Sequence, residues 1–136
     1  MSHNILFLCT GNSARSILAE AICNHLAPVD VHAYSAGSQP TGTVNPGAIA
    51  ELNVRGLDAG AYHSKSWDVF TGPDAPMLTR VITLCDSAAD EVCPIFPGAY
   101  QRDHWGLPDP ASGAATFSAT FDALAARIRS LLEDLD

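Results

Sequence analysis

The sequence is short of positive charge. Seven lysine and arginine residues stand against 15 aspartate and glutamate residues in a chain of 136, which gives a formal net charge of −8 at pH 7. Because nucleic acids and anionic membranes attract positively charged surfaces, this balance argues against either as a partner. The same field repels an anionic substrate, so such a substrate would have to be held by local hydrogen-bond donors.

Long apolar runs and metal-binding spacings are also missing. No run approaches transmembrane length, and Ile5–Leu8 is too short for the core of a signal peptide, so we expect a cytoplasmic protein. The four cysteines form no C-x2-C pair and no histidines pair at helical spacing, so we expect neither a metal nor another cofactor. Static disulfides are rare in the cytosol, which favours catalytic or redox use of the cysteines.

What is present is an alternation of strand and helix patterns without repeats or linkers. A chain of this length, 47% of it hydrophobic, suits one domain spanning residues 1–136. The predicted strands are 5–8, 29–34, 80–84 and 100–105, and the predicted helices are 17–26, 46–56, a short one at 67–70, and 114–132. This alternation predicts an α/β three-layer sandwich built on a four-stranded parallel sheet.

The first strand and the turn after it stand out. Ile5–Leu8 is typical of a strand buried on both faces, and a helical pattern begins about eight residues later. Strand, tight turn and helix in that order place backbone N–H groups and a helix N-terminus around one point, which suits an oxyanion. Cys9 opens the turn, and Arg15 closes it with a planar fork of donors. We predict that this environment makes the Cys9 thiol easy to ionise.

A second strand ends in the same way. Arg80–Leu84 is followed by Cys85, and ligands bind beyond the carboxyl ends of parallel strands. Neighbouring strands lie about 4.8 Å apart, so Cys85 could bridge to Cys9 if the two strands are adjacent. Cys93 follows eight positions later, about 12 Å away along a helix, so a bridge to it requires a loop or unwinding. Alternatively, Cys85 and Cys93 are small buried apolar residues.

These motifs resemble those of the low-molecular-weight protein tyrosine phosphatase fold family, and most closely its arsenate reductase branch. The cradle that carries the resemblance, and that we expect to bind the substrate, consists of Cys9, Thr10, Gly11, Asn12, Ser13, Ala14, Arg15 and Ser16. Further matching stretches are Ser35-Ala36-Gly37, Val44-Asn45-Pro46, Leu84-Cys85-Asp86, Cys93-Pro94, His104-Trp105-Gly106 and Asp109-Pro110-Ala111. Together they extend over nearly the whole chain.

The resemblance implies a three-cysteine relay, and we expect the protein to be a monomer. Cys9 attacks arsenate, Cys85 attacks Cys9 to release arsenite, and Cys93 attacks Cys85 to form a disulfide that thioredoxin reduces. Thioredoxin-linked relatives carry six residues between the second and third cysteines, whereas Asp86–Val92 is seven. The electron donor is therefore left open between thioredoxin and glutaredoxin. Phosphate and sulfate, as tetrahedral oxyanions, are expected to compete with arsenate.

The resemblance also assigns supporting roles. Asp109, held between two prolines, matches the family's general acid, although an Asp-Pro sequence can simply form a turn. Some members bind potassium near the cradle through four side chains, of which Asn12, Glu20 and Ser35 are present here. The fourth position holds Lys65, so we hypothesise that its ammonium group replaces the ion. Lys65 as an ordinary surface residue is the alternative.

Two rival functions stay open at this point. A low-molecular-weight phosphotyrosine phosphatase would use Cys9, Arg15 and Asp109 in the same way, but it has no need of Cys85. Such phosphatases usually carry an aromatic residue after Asp-Pro, where this sequence has Ala111. A sensor that binds an oxyanion without turning it over would have no need of the acid.

Overall fold

The computed structural model describes residues 3–85, 96, 98–110, 113 and 115–135. Four strands lie in this part of the chain: β1 (His3–Leu8), β2 (Val31–Ala36), β3 (Arg80–Thr83) and β4 (Gln101–His104). Its helices are α1 (Arg15–Leu26), α2 (Pro46–Val54) and α3 (Phe117–Asp134), with short 3-10 helices at Ala59–Ala61 and Trp67–Phe70. The predicted α/β alternation is confirmed.

The sheet is parallel throughout and has the order β2-β1-β3-β4. At the end of β1, Leu8 is in register with Ala36 on one side and Thr83 on the other. Cys9 and Cys85 therefore leave neighbouring strands at the same carboxyl edge, where open parallel sheets bind their ligands. The sequence left open whether the strands before Cys9 and Cys85 are adjacent, and this strand order shows that they are.

Two apolar clusters, one on each face of the sheet, give the three layers. Ile5 and Phe7 pack with residues of all three helices, whereas Leu6 and Leu8 pack with a second cluster on the opposite face. The second cluster also contains Ala36, Phe70, Leu78, Val81 and Phe96. None of the four β1 residues is more than 1% exposed, which confirms a strand buried on both sides and gives the site a rigid base.

The second strand is displaced from its predicted position of 29–34. Val29 is 93% exposed, because the N–H of Val31 bonds to the carbonyl of Pro28 and closes a turn before the strand begins. The strand then continues through Ser35 and Ala36, which the sequence assigned to its end. The prediction was wrong by two residues, since a weak alternation of side chains does not mark where a turn stops.

The last helix begins later than predicted. The Thr116 side chain accepts a 3.0 Å hydrogen bond from the N–H of Ala119 and caps α3, which therefore starts at Phe117. The predicted start, Ala114, lies outside the described residues. The expected apolar stripe of this helix is buried against the core. No helix in the described ranges is long and apolar enough to cross a membrane.

Candidate active site

The loop between β1 and α1 curls around a single cavity. Its carbonyl groups are held from outside: those of Thr10, Gly11 and Ser13 accept main-chain hydrogen bonds of 2.8–3.0 Å from Gln39, Thr41 and Asn45. Because the carbonyls point outward into these bonds, the loop can turn N–H groups inward, as an oxyanion requires. The first turn of α1 follows at Arg15, without a side-chain cap on its N-terminus.

Asn12 is the fully buried anchor of this loop. Its φ of 45° lies in the left-handed region, which asparagine tolerates better than most residues. Its amide group donates to Ser16 Oγ at 2.7 Å and accepts from the main-chain N–H of Lys65 at 2.9 Å. Ser16 is thus the second residue of α1 and supports Asn12.

Gly37 lets the end of β2 approach the loop. A Cβ atom on this residue would lie 2.4 Å from the Thr10 carbonyl oxygen and 2.6 Å from that of Cys9. No other amino acid fits there without moving the loop. In the sequence Gly37 stands in the Ser35-Ala36-Gly37 motif, three residues beyond the predicted strand, and that glycine was the one signal of a close approach.

Cys9 and Cys85 lie side by side in the cavity. The cavity has a volume of about 260 Å³ and is lined by residues 9–11, 13–15, Cys85 and Asp109. Both cysteines are buried thiols in mutual contact, and the Thr10 hydroxyl lies 3.6 Å from Cys85 Sγ. The cradle and the second cysteine predicted from the sequence therefore share one site.

The prediction of an easily ionised Cys9 is wrong for this arrangement. The hydrogen bond with Cys85, and then burial, raise the pKa of the Cys9 thiol above its ordinary value. The guanidinium of Arg15 and the N–H of Thr10 lower the pKa but do not outweigh these effects. Contact between the two thiols therefore disfavours ionisation of Cys9, and separating them would favour the thiolate.

Arg15 joins the cradle to the predicted acid. Its Nη1 donates a 2.7 Å hydrogen bond to the carbonyl of Leu107, and its Nη2 lies 4.0 Å from Asp109 Oδ2. Asp109 is partly exposed at the mouth of the cavity, where a proton donor could reach a bound oxyanion. Leu107 accepts this bond through its main-chain carbonyl, so a motif defined by side chains does not reveal its role.

Lys65, the only lysine of the chain, reaches behind the cradle. Its side chain is only 15% exposed, so the alternative of an ordinary surface lysine is wrong. Lys65 Nζ lies 3.9 Å from Glu20 Oε1 and 2.9 Å from the carbonyl of His63, while Ser35 Oγ donates to Glu20 at 2.6 Å. Burial raises the pKa of Glu20 and lowers that of Lys65.

The remaining predicted residues are placed as follows. Cys93 and Ala111 lie outside the described residues. Cys23 is buried in α1 within the core, where burial raises its pKa to about 12. Across the described ranges, no three histidine, cysteine, aspartate or glutamate side chains gather to hold a metal ion.

Comparison with known proteins agrees with this fold. The chain belongs to the low molecular weight phosphotyrosine protein phosphatase family, whose model matches residues 4–136.

Within that family, the chain is similar to proteins named as arsenate reductases. One from Shouchella clausii is 37% identical over 136 residues, covering 95% of this chain and 94% of its own. One from Bacillus cereus is 40% identical over 133 residues, with coverage of 95% and 93%. Among solved structures, a thioredoxin-dependent arsenate reductase from Corynebacterium glutamicum matches with a TM-score of 0.78 at 28% identity, over 98% of this chain but 61% of that one.

Proposed function

We propose that this protein is an arsenate reductase that works through a relay of cysteine thiols. The observation that carries the proposal is the contact between the buried thiols of Cys9 and Cys85 inside an oxyanion cradle. A second thiol at this point can take over the bond of Cys9 during reduction, and it is superfluous for hydrolysis. The names of the relatives at 37–40% identity support the same substrate.

In the first step the sulfur of Cys9 attacks the arsenic atom of arsenate. A sulfur–arsenic bond forms as an arsenic–oxygen bond breaks. The leaving hydroxyl group takes one proton from Asp109 and departs as water, and the proton that Cys9 gives up restores the Asp109 carboxyl group. Loop N–H groups and the Arg15 guanidinium hold the remaining oxygens, while Asp109 protonates the leaving oxygen. Substrate that displaces Cys85 from Cys9 also removes the main cause of the raised pKa of Cys9.

In the second step the sulfur of Cys85 attacks the sulfur of Cys9. The electron pair of the sulfur–arsenic bond passes to arsenic, which is reduced from the pentavalent to the trivalent state and leaves as arsenite. A disulfide joins Cys9 to Cys85. The two residues lie just beyond the carboxyl ends of adjacent strands, which is compatible with this bond because neighbouring strands approach within disulfide range.

Recycling requires a third thiol and an external donor. Cys93 attacks Cys85, which frees Cys9 and leaves a disulfide between Cys85 and Cys93 for the donor to reduce. Thioredoxin is favoured by the thioredoxin-dependent relative from Corynebacterium glutamicum. Glutaredoxin is the other candidate, given the seven residues that separate the two cysteines.

Coupled turnover of arsenate with thioredoxin and, separately, with glutaredoxin tests the relay. We expect Cys9→Ser and Cys85→Ser to abolish turnover with either donor, and Cys93→Ser to abolish it with thioredoxin. Cys23→Ser is the matched control, since Cys23 is a buried cysteine away from the cavity. Normal turnover by Cys85→Ser would overturn the relay.

Phosphomonoester hydrolysis is the second candidate. Cys9, Arg15 and Asp109 all border the cavity, as a phosphocysteine mechanism requires. Hydrolysis of a small aryl phosphate by Cys85→Ser at the wild-type rate, together with no reduction of arsenate by the wild type, would make phosphatase the main activity.

A further inference from the structure

The reduced site contains a preformed pair of thiols. Leu84 donates its main-chain N–H to the Leu8 carbonyl at 2.9 Å, so the backbones that lead into Cys9 and Cys85 are fixed against each other. Both side chains are buried, at 7% and 6% exposure, and they contact each other beside an open cavity. Two thiols held in this way can bind one soft atom without rearranging the sheet.

The surroundings of the pair limit what that atom can be. Zinc is normally held by three or four protein ligands, and soft thiolate ligands favour thiophilic elements. Within the described residues no third metal-ligating side chain joins the two thiols. Trivalent arsenic meets these limits, because it forms three bonds and can use two thiols while keeping one hydroxyl group.

We propose that the reduced Cys9–Cys85 pair binds trivalent arsenic and that the protein is thereby inhibited by its own product. Arsenous acid condenses with the two thiols, forming two sulfur–arsenic bonds and releasing two molecules of water. Arsenic stays trivalent and no electrons are transferred. The inference rests on the proposed function for the source of arsenite, and the occupied Cys9 can no longer attack arsenate.

Binding of arsenous acid differs from binding of an oxyanion in the charge of the ligand. Arsenous acid is neutral at neutral pH, so the net charge of −8 does not repel it and the Arg15 guanidinium is not needed to hold it. Contact with Cys85 and burial raise the pKa of Cys9, which suits a condensation whose overall stoichiometry consumes two neutral thiols. Binding should therefore change little with salt concentration, whereas oxyanion binding should weaken.

Mass spectrometry of the protein, fully reduced with a phosphine, tests the inference directly. The probes are arsenite and phenylarsine oxide, which joins two thiols with loss of one water. We expect one arsenic atom per chain in the wild type, in Cys23→Ser and in Cys93→Ser. In Cys9→Ser and Cys85→Ser we expect the affinity to fall about 100-fold or more, because the second thiol acts at a high effective concentration.

Alkylation of the wild type provides a second readout that needs no variant. Bound arsenite should protect Cys9 and Cys85 from iodoacetamide together, and a dithiol should restore their reactivity. Retention of the adduct by Cys9→Ser with its loss in Cys93→Ser would overturn the inference, as would the absence of any adduct in the wild type.

The experiments distinguish failure of the proposed reductase function from failure of the arsenite-binding inference. A wild type that reduces arsenate but forms no adduct would leave the reductase proposal intact and remove this one. An adduct at Cys9 and Cys85 in a protein that does not reduce arsenate would confirm the dithiol site and overturn the reductase proposal. In a turnover assay, arsenite should inhibit competitively with arsenate.

Discussion

Arg15 Nη1 donates a 2.7 Å hydrogen bond to the main-chain carbonyl of Leu107, two residues before Asp109. The N–H of the same Leu107 donates at 3.0 Å to the carbonyl of Leu84, the residue before Cys85. One peptide segment thus ties the cradle arginine to the acid loop and to the strand that carries the second cysteine. A substitution in the cradle, the acid loop or this strand should therefore shift the position of the other two.

Replacement of Arg15 by lysine should lower kcat/KM for arsenate by about 100- to 1000-fold, the usual loss when one oxyanion donor is removed. Lysine keeps the charge but loses the planar fork that can bond Leu107 and the substrate together. Arg129→Lys, on the exposed side of α3, is the matched control and should leave turnover unchanged. Wild-type kinetics in Arg15→Lys would contradict the assignment of Arg15 to the cradle.

Gly37→Ala should displace the cradle. The added Cβ would lie 2.4 Å from the Thr10 carbonyl oxygen, so we expect a stability loss of about 1–3 kcal/mol from overpacking. Phosphate should no longer raise the melting temperature of this variant. Gly72→Ala is the control, because nothing lies within 4 Å of the atom it adds. A Gly37→Ala protein that is still stabilised by phosphate would show that the loop does not depend on this contact.

Cys85→Ala should make Cys9 more reactive at neutral pH. The substitution removes the hydrogen bond that contributes most to the raised pKa of Cys9, while Arg15 and the N–H of Thr10 remain to lower it. In a background of Cys23→Ser and Cys93→Ser, the rate of alkylation by iodoacetamide at pH 7 should rise about tenfold for each unit by which the pKa falls. An unchanged or slower rate would mean that Cys85 does not hold the proton on Cys9.

Wild-type turnover should not depend on potassium. The Lys65 ammonium lies 3.9 Å from the Glu20 carboxylate, which we propose is where an ion would otherwise be needed. Exchange of sodium chloride for potassium chloride at constant ionic strength should leave kcat/KM unchanged in the wild type. In Lys65→Met the rate should fall in sodium and partly recover in potassium. Strong activation of the wild type by potassium would reject this role.

Lys65→Met should also make stability depend more steeply on pH. Burial already raises the pKa of Glu20 above its value of 4.5, and Lys65 opposes that shift. A raised pKa in the folded state contributes stability that is complete below about pH 4.5 and is lost as the pH rises. Urea unfolding should therefore show Lys65→Met losing up to about 1.4 kcal/mol per pH unit relative to the wild type.

The double variant Lys65→Met, Glu20→Gln is the control for this slope. With no carboxyl group left to titrate behind the cradle, its stability should change with pH no more steeply than that of the wild type. If the single and the double variants showed the same slope, Glu20 could not be the titrating group.

The sequence by itself determined the elements that build the site. Four apolar residues before Cys9 predicted a strand buried on both faces, and the small residues that follow predicted a tight turn into α1. These patterns are local, because the side-chain periodicity of an element follows from its own backbone geometry. Boundaries set by a single hydrogen bond, such as the one from Val31 to Pro28, were missed.

The tertiary structure alone decided which of these residues meet. The order β2-β1-β3-β4 makes the strands of Cys9 and Cys85 neighbours, and no local pattern encodes an order of strands. The tertiary structure also raises the pKa of Cys9, where the sequence predicted an easily ionised thiol. The proton affinity of a thiol depends on the groups that contact it in space. The peptide of Leu107 acts through its main chain, which is the same in every residue type and leaves no mark in the sequence.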